Sequence, residues 1–290
     1  MNHKLGAVHT FEELLTEYVR ERSDDSYNPI RLGFGSIDAD LRGISLGQVC
    51  GIAARTAVGK TWALASILEN FTFRRESGCL VLSLEQPGIE WAERQLAIHL
   101  DLAPERIEEL AKSRELGQHV GDFLEAMQHI RLKDDGFELE QLPDVLAATR
   151  ETLAVPLRLV LIDYLGLFGA RGKDAYERAS ALGKGLKMIA KSEQVAVITA
   201  MQLSRAAGDG SEPVTLDQLR DSGVLEESLD FLLGCWRPGR KKSLPDVERL
   251  ALRDVLRVAI LKNRKGEDGR VVDLRFRPES RRVFELAEIQ

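Results

Sequence analysis

A chain of 290 residues with 46 acidic and 40 basic side chains carries a formal net charge of −6. That length fits one large α/β domain with a sizeable core, and the balance excludes a polypeptide that is basic over its whole surface, though not a local basic channel. No run nears the roughly 18 apolar residues of a membrane span, and no signal-like stretch opens the chain, so a cytoplasmic protein without a membrane partner is expected.

Residues 10–22 begin with Thr10 and carry Glu13 three positions later, the pattern of a capping box. Phe11, Leu14, Leu15, Tyr18 and Val19 then recur at helical spacing. A polar, proline-containing stretch at 23–30 follows. Residues 1–30 therefore read as a tethered amphipathic helix with its linker, and residues 31–290 as the main body. The helix's apolar stripe needs a cover, either its own domain or a neighbouring subunit.

The body opens with a strand over 47–53 and a helix over 60–75. Leu80–Leu84 reads as a buried strand running to Glu85, and 88–100 as a helix. Residues 104–131 look helical with a variable pattern, and 138–152 form another helix. Leu157–Ile162 is a strand ending at Asp163, 174–191 a helix, and Val195–Ala200 a strand ending near Gln202. Further strands cover 231–236 and 256–261, and the alternation in 271–277 and 282–286 predicts a closing hairpin. Strands alternating with helices imply an α/β fold with a mostly parallel central sheet flanked by helices, and ligands at the strands' C-terminal edge.

The stretch Ala54-Arg55-Thr56-Ala57-Val58-Gly59-Lys60-Thr61, between the first strand and the helix that begins near Trp62, has the context of a phosphate-binding loop. Successive backbone N–H groups curl around a phosphate at a helix N-terminus, where the dipole favours an anion. Lys60 would place its ammonium near the β and γ oxygens of a nucleotide, and Thr61 would offer a hydroxyl to Mg²⁺. Ala54 stands where a glycine is usual, and its small side chain keeps the close approach open.

Three strand ends add polar groups to the same edge. Asp163 would hold Mg²⁺ through water beside Thr61. Glu85 would polarise an attacking water, or else neighbours a helix cap. Gln202 would sense the γ-phosphate, or else caps its strand. Cys50, Cys79 and Cys235 lie far apart with no metal-ligand spacing; Cys50 and Cys79 read as core thiols, and the sparse, odd count suggests a reducing compartment. The histidines His3, His9, His99, His119 and His129 show no metal-ligand spacing.

Taken together, residues 31–286 resemble the C-terminal motor domain of DnaB-type replicative helicases, within the RecA-like P-loop NTPases. The matching segments are Leu32–Asp38, Ala54–Thr61, Ser83-Leu84-Glu85, Ile162–Leu165, Gln202–Arg205, Leu219–Glu226 and Lys262-Asn263-Arg264. The family's loop also begins with alanine and arginine. The resemblance implies ATP and Mg²⁺ bound by Lys60, Thr61 and Asp163, with Glu85 activating water. It implies Lys262 and Arg264 reaching the γ-phosphate held by a neighbouring subunit, and hence a homo-oligomer, a hexameric ring in this family. Arg220, Asp221 and Gly223 match a loop facing the central channel, and Arg171 and Lys173 resemble a second inward loop. Both would track the backbone of single-stranded DNA. From its charge alone, the basic turn Arg237–Lys242 is either a further nucleic-acid contact or a solvated surface run.

A helix ahead of the motor packs on the adjacent subunit in this family, a role that residues 10–22 suit. Full-length members carry an N-terminal primase-binding domain. With only residues 1–30 ahead of the motor, that domain is not expected, and a shortened helicase of a phage, plasmid or mobile element is implied. A loader or primase-type protein is the implied further partner. The residues themselves leave two alternatives open: a RecA-like switch or recombination accessory that assembles without unwinding, and a scaffold with a decayed site. The intact Lys60, Glu85, Asp163 and Arg264 speak against the scaffold.

Overall fold

The computed structural model describes residues 10–23, 29–169, 175–203, 208–218, 227–277 and 279–286. In chain order the helices are α1 (Phe11–Ser23), α2 (Gly35–Leu41), α3 (Lys60–Thr72), α4 (Gly88–Leu100), α5 (Pro104–Lys112), α6 (Gly121–Ala126), α7 (Leu142–Glu151), α8 (Ala175–Glu193) and α9 (Asp246–Ala251). The strands are β1 (Val49–Ala54), β2 (Gly78–Ser83), β3 (Ile130–Lys133), β4 (Leu157–Asp163), β5 (Ala196–Gln202), β6 (Phe231–Trp236), β7 (Val255–Asn263), β8 (Val271–Phe276) and β9 (Val283–Glu285).

All nine strands form one sheet in the order β3-β2-β4-β5-β1-β6-β7-β8-β9. The pairs from β3 through β6 are parallel, and β7, β8 and β9 continue the sheet antiparallel. The parallel strands read as near-continuous apolar runs because both of their faces are covered. Alternate residues feed two cores. Cys50, Ile52 and Ala54 of β1 face α3, α4 and the segment around α2, with Leu64, Ile67, Phe71 and Trp91. Val49 and Ala53 face α7 and α8, with Leu146, Leu182 and Leu186. Each fully buried side chain of this kind contributes about 1.5–3 kcal/mol.

The segment ahead of β1 is fixed by one carboxylate. Asp38, buried on α2, accepts the backbone N–H groups of Leu32 at 2.7 Å and Gly33 at 2.8 Å. Asn70 of α3 donates to the Leu32 carbonyl at 3.0 Å, so this corner is bolted to the helix that starts at the phosphate loop.

Most expected elements lie where the periodicity puts them. Residues 104–131 differ: helix persists only as α5 and α6, and the chain then enters β3, an edge strand parallel to β2. Its four residues, Ile-Arg-Leu-Lys, alternate but none is fully buried, so they lack the apolar run of the central strands. At the N-terminus, the capping box forms as read, with Thr10 N–H to Glu13 at 2.7 Å and Glu13 N–H to the Thr10 hydroxyl at 3.2 Å. The apolar stripe of α1 is exposed, Phe11 by 91% and Leu15 by 62%. Its own domain does not cover it. Among the described residues, no helix is long and apolar enough to cross a membrane.

Asp38→Ala leaves two backbone donors of this corner without their acceptor. The expected loss is about 2–3 kcal/mol in urea unfolding, and a change below about 0.5 kcal/mol, the range of a neutral surface substitution, would contradict the bolting role.

Candidate nucleotide-binding site

The parallel register brings the polar strand ends to one edge. Ala54 pairs with Gln202, and Ser83 with Asp163, so the loop after β1, Gln202, Asp163 and Glu85 emerge side by side. The loop itself curls through two residues with positive φ, Ala57 at 62° and Gly59 at 124°. Gly59 is required twice over. Its backbone angle suits glycine, and a Cβ there would meet the Phe276 ring at 2.5 Å.

Lys60 lies at the first turn of α3 and folds its Nζ back onto the carbonyls of Ala54 at 3.2 Å and Arg55 at 3.3 Å. Burial lowers its pKa, while the charges of Asp163 and Glu85 work the other way. An ammonium held by two carbonyls beside the loop is placed to meet an anion bound there. Thr61 donates its hydroxyl to Asp163 Oδ2 at 2.8 Å. Burial raises the Asp163 pKa, the Thr61 hydrogen bond opposes this, and the Glu85 charge adds to it. A hydroxyl and a carboxylate in contact are the hard oxygen donors that suit Mg²⁺, which draws its remaining ligands from phosphate and water. Glu85 is exposed beyond β2, and Gln202 is exposed at the end of β5.

Arg55 spans the far side of the loop, donating to the carbonyls of Leu203 at 2.7 Å and Gly208 at 2.8 Å. Thr56 is exposed and Val58 is buried beneath the loop. Trp62 stacks under two guanidinium groups, Arg94 at 4.9 Å and Arg281 at 5.7 Å. Beside the loop lies a cleft of about 360 Å³ whose walls include Gly59, Trp62, Arg237, Phe276 and Arg281. Arg237 sits 4.8 Å over the Phe276 ring, and Arg240 donates to the Ala57 carbonyl at 2.6 Å.

The structure thus moves the basic turn read as a nucleic-acid contact to the flank of the phosphate loop. No local motif pairs Arg237 with Phe276. They meet because β7 and β8 run antiparallel, which returns the end of β8 to the edge where β6 ends.

Lys262 and Arg264 lie elsewhere. Asn263 pairs with Phe231, and Phe231 with Cys50, at the start of the parallel strands. The four residue steps from Cys50 to Ala54 put roughly 13 Å of strand between this edge and the phosphate loop. Arg264, half-exposed, bonds Asp230 Oδ1 at 3.3 Å and the Glu227 carbonyl at 3.1 Å, and Lys262 reaches the same carbonyl at 3.4 Å. Buried Asp230 also holds the N–H of Val49 at 2.8 Å and Lys187 at 2.6 Å. Arg171, Lys173, Arg220, Asp221 and Gly223 lie outside the described residues. Among the described residues, no group of three or more His, Cys, Asp or Glu side chains forms a metal cluster.

A phosphate loop, a half-buried lysine, a Thr–Asp pair and a strand-end glutamate at one edge of a parallel sheet define a P-loop nucleotide-binding domain of RecA-like fold. Residues 29–285 match the family model described as the DnaB-like helicase C terminal domain, and the chain belongs to that family. It is similar to the replicative DNA helicase DnaB of Pasteurella multocida (strain Pm70), 27% identical over 269 residues, covering 89% of this chain and 56% of that one. The DnaB of Mycoplasma pneumoniae (strain ATCC 29342 / M129 / Subtype 1) is 28% identical over 280 residues, 90% of this chain and 57% of that one. A probable plasmid replicative DNA helicase of Chlamydia psittaci is 26% identical over 223 residues, 75% and 48% of the two chains. The chain thus spans about half the length of these relatives. In fold it matches the solved structure of a DnaB-like replicative helicase, with a TM-score of 0.78, 24% identity, and coverage of 97% of this chain and 68% of that one.

Gly59→Ala forces strain of about 1–3 kcal/mol into the loop and pushes on Phe276. Nucleotide affinity should fall by about tenfold or more, 1.4 kcal/mol, in a titration with fluorescent nucleotide. Unchanged affinity would contradict the loop assignment.

Proposed function

We propose that this chain is an ATP-hydrolysing motor of a DNA helicase or translocase acting on single-stranded DNA, with each site completed by a neighbouring subunit. The observation that carries this reading is the placement of Arg264 at the sheet edge opposite Lys60, beyond the reach of one side chain. Such a residue serves its own site poorly and a neighbour's well. In this reading residues 31–290 are the motor, and residues 1–30 form a tether whose exposed α1 stripe packs on the next subunit of a ring, hexameric as the family implies.

Within the site, the loop amides and Lys60 hold the phosphates, and Thr61 and Asp163 hold Mg²⁺. The bound ion would neutralise charge on the β and γ oxygens. Glu85 orients and deprotonates water, Gln202 reports the γ-phosphate to the loop that follows it, and Lys262 and Arg264 of the adjacent copy stabilise charge on the transferring group. The cleft beside the loop, walled by Trp62, Arg237, Phe276 and Arg281, receives the base. Arg171, Lys173, Arg220, Asp221 and Gly223 contact the DNA backbone, a binding mode set by charge rather than base sequence. A loader or primase-type protein is the further partner, and the cytoplasm the compartment.

The test is ATP hydrolysis with and without single-stranded DNA. Hydrolysis should rise with DNA and vanish in Lys60→Ala. Glu85→Gln should keep nucleotide affinity and lose turnover by about 100-fold or more. Turnover indifferent to DNA would favour the RecA-like switch. Deleting residues 1–25 should lower the mass in solution by light scattering, and an unchanged assembly would remove α1 from the interface.

A further inference from the structure

Arg94 of α4 is half-buried, with its guanidinium in an unusual position. Its Nη2 donates to the side chain of Gln86 at 2.9 Å. Its Nε and Nη1 are buried without a hydrogen-bond partner, as is Nε1 of neighbouring Trp91. The plane lies 4.9 Å from Trp62 and 5.9 Å from Trp91. Burying unsatisfied donors and a charge costs stability, and an apolar side chain of similar volume would avoid that cost. The residue therefore needs another reason to be there.

Its contacts supply one. Gln86 follows Glu85, and Trp62 follows Thr61. The turn that carries Glu85 is otherwise tied down on its β2 side, by the Ser83 hydroxyl on the Gln86 carbonyl at 2.5 Å and the Leu84 N–H on the Asp163 carbonyl at 2.8 Å. Arg94 supplies a tie on the opposite side, from α4 across to the first turn of α3. Its charge also acts on the Asp163 carboxylate. One guanidinium thus links the glutamate turn to the helix that holds the phosphates and the metal ligand.

We infer that Arg94 is a positioning residue, clamping the Glu85 turn against α3 through Gln86 and Trp62 so that the carboxylate faces the γ-phosphate end of the site. This rests on the reading of Glu85 as the water-activating base. Positioning of this kind acts on turnover and not on binding, because a displacement of about 1 Å in a catalytic group costs on the order of 100-fold in rate.

The experiment uses the full chain and measures kcat, Mg-ATP affinity and thermal midpoint for Arg94→Met, Arg94→Lys, Gln86→Leu and the Arg94→Met/Gln86→Leu pair, beside Glu85→Gln. Arg94→Met should lose about 100-fold in kcat with nucleotide affinity unchanged and the midpoint unchanged or raised, and Arg94→Lys should recover part of the loss. Gln86→Leu alone should lower kcat, and the pair should be no worse than Arg94→Met, the non-additive result of a shared contact. Normal kcat in Gln86→Leu, or an additive pair, overturns the clamp, as does a kcat loss matched by lost affinity or midpoint. If Glu85→Gln itself hydrolyses normally, the reading of Glu85 has failed. If Glu85→Gln is inactive while Arg94→Met turns over normally, only the clamp has failed.

Discussion

The hydrogen bond from Thr61 to Asp163, at 2.8 Å, is the joint on which the site depends. It links the first turn of α3, the helix that follows β1, to the end of β4, and β5 lies between β1 and β4 in the sheet. Everything else at the edge is set relative to that joint. The phosphate loop must reach α3, the β2–β4 register must put Ser83 opposite Asp163, and the turn after Ser83 must then present Glu85. Burial makes the joint costly, since it disfavours the charged forms of both Asp163 and Lys60.

The remainder of the fold serves to hold that edge in register. Two cores, one on each face, fix the parallel strands, and Asp38 fixes the segment that leads into β1. The antiparallel extension of β7, β8 and β9 does something different. It carries Phe276 back to the nucleotide edge while leaving Lys262 and Arg264 at the opposite one. One hairpin thus reaches both edges of the sheet, and in the proposed reading serves the chain's own site at one and a neighbour's at the other. Asp230, which binds Val49, Lys187 and Arg264 together, ties the second of these to the base of β1.

Much of this was legible in the residues. The phosphate loop, the strand ends at Glu85, Asp163 and Gln202, and the Thr10–Glu13 cap are local patterns, and local patterns survive folding. What escaped depended on contacts distant in sequence. β3 is a short edge strand whose half-buried side chains give a weak periodic signal inside a helical stretch. Arg237 and Phe276 form a cleft wall only because the antiparallel strands return to the same edge, so Arg237 read only as part of a basic turn facing nucleic acid or solvent. No local pattern points to Arg94, and only its place beside two tryptophans distant from each other in sequence marks it out.

The central claim is that a site's chemistry is completed by the Arg264 of another copy. Mixing two inactive variants tests it most directly. Lys60→Ala keeps its Arg264 but has a broken phosphate site, and Arg264→Ala keeps its phosphate site but has no finger to lend. The account predicts that each alone fails to hydrolyse ATP, and that a co-assembled mixture regains turnover at interfaces pairing an intact Lys60 with an intact Arg264. Wild-type turnover by Arg264→Ala alone, or a mixture no more active than its parts, would contradict it.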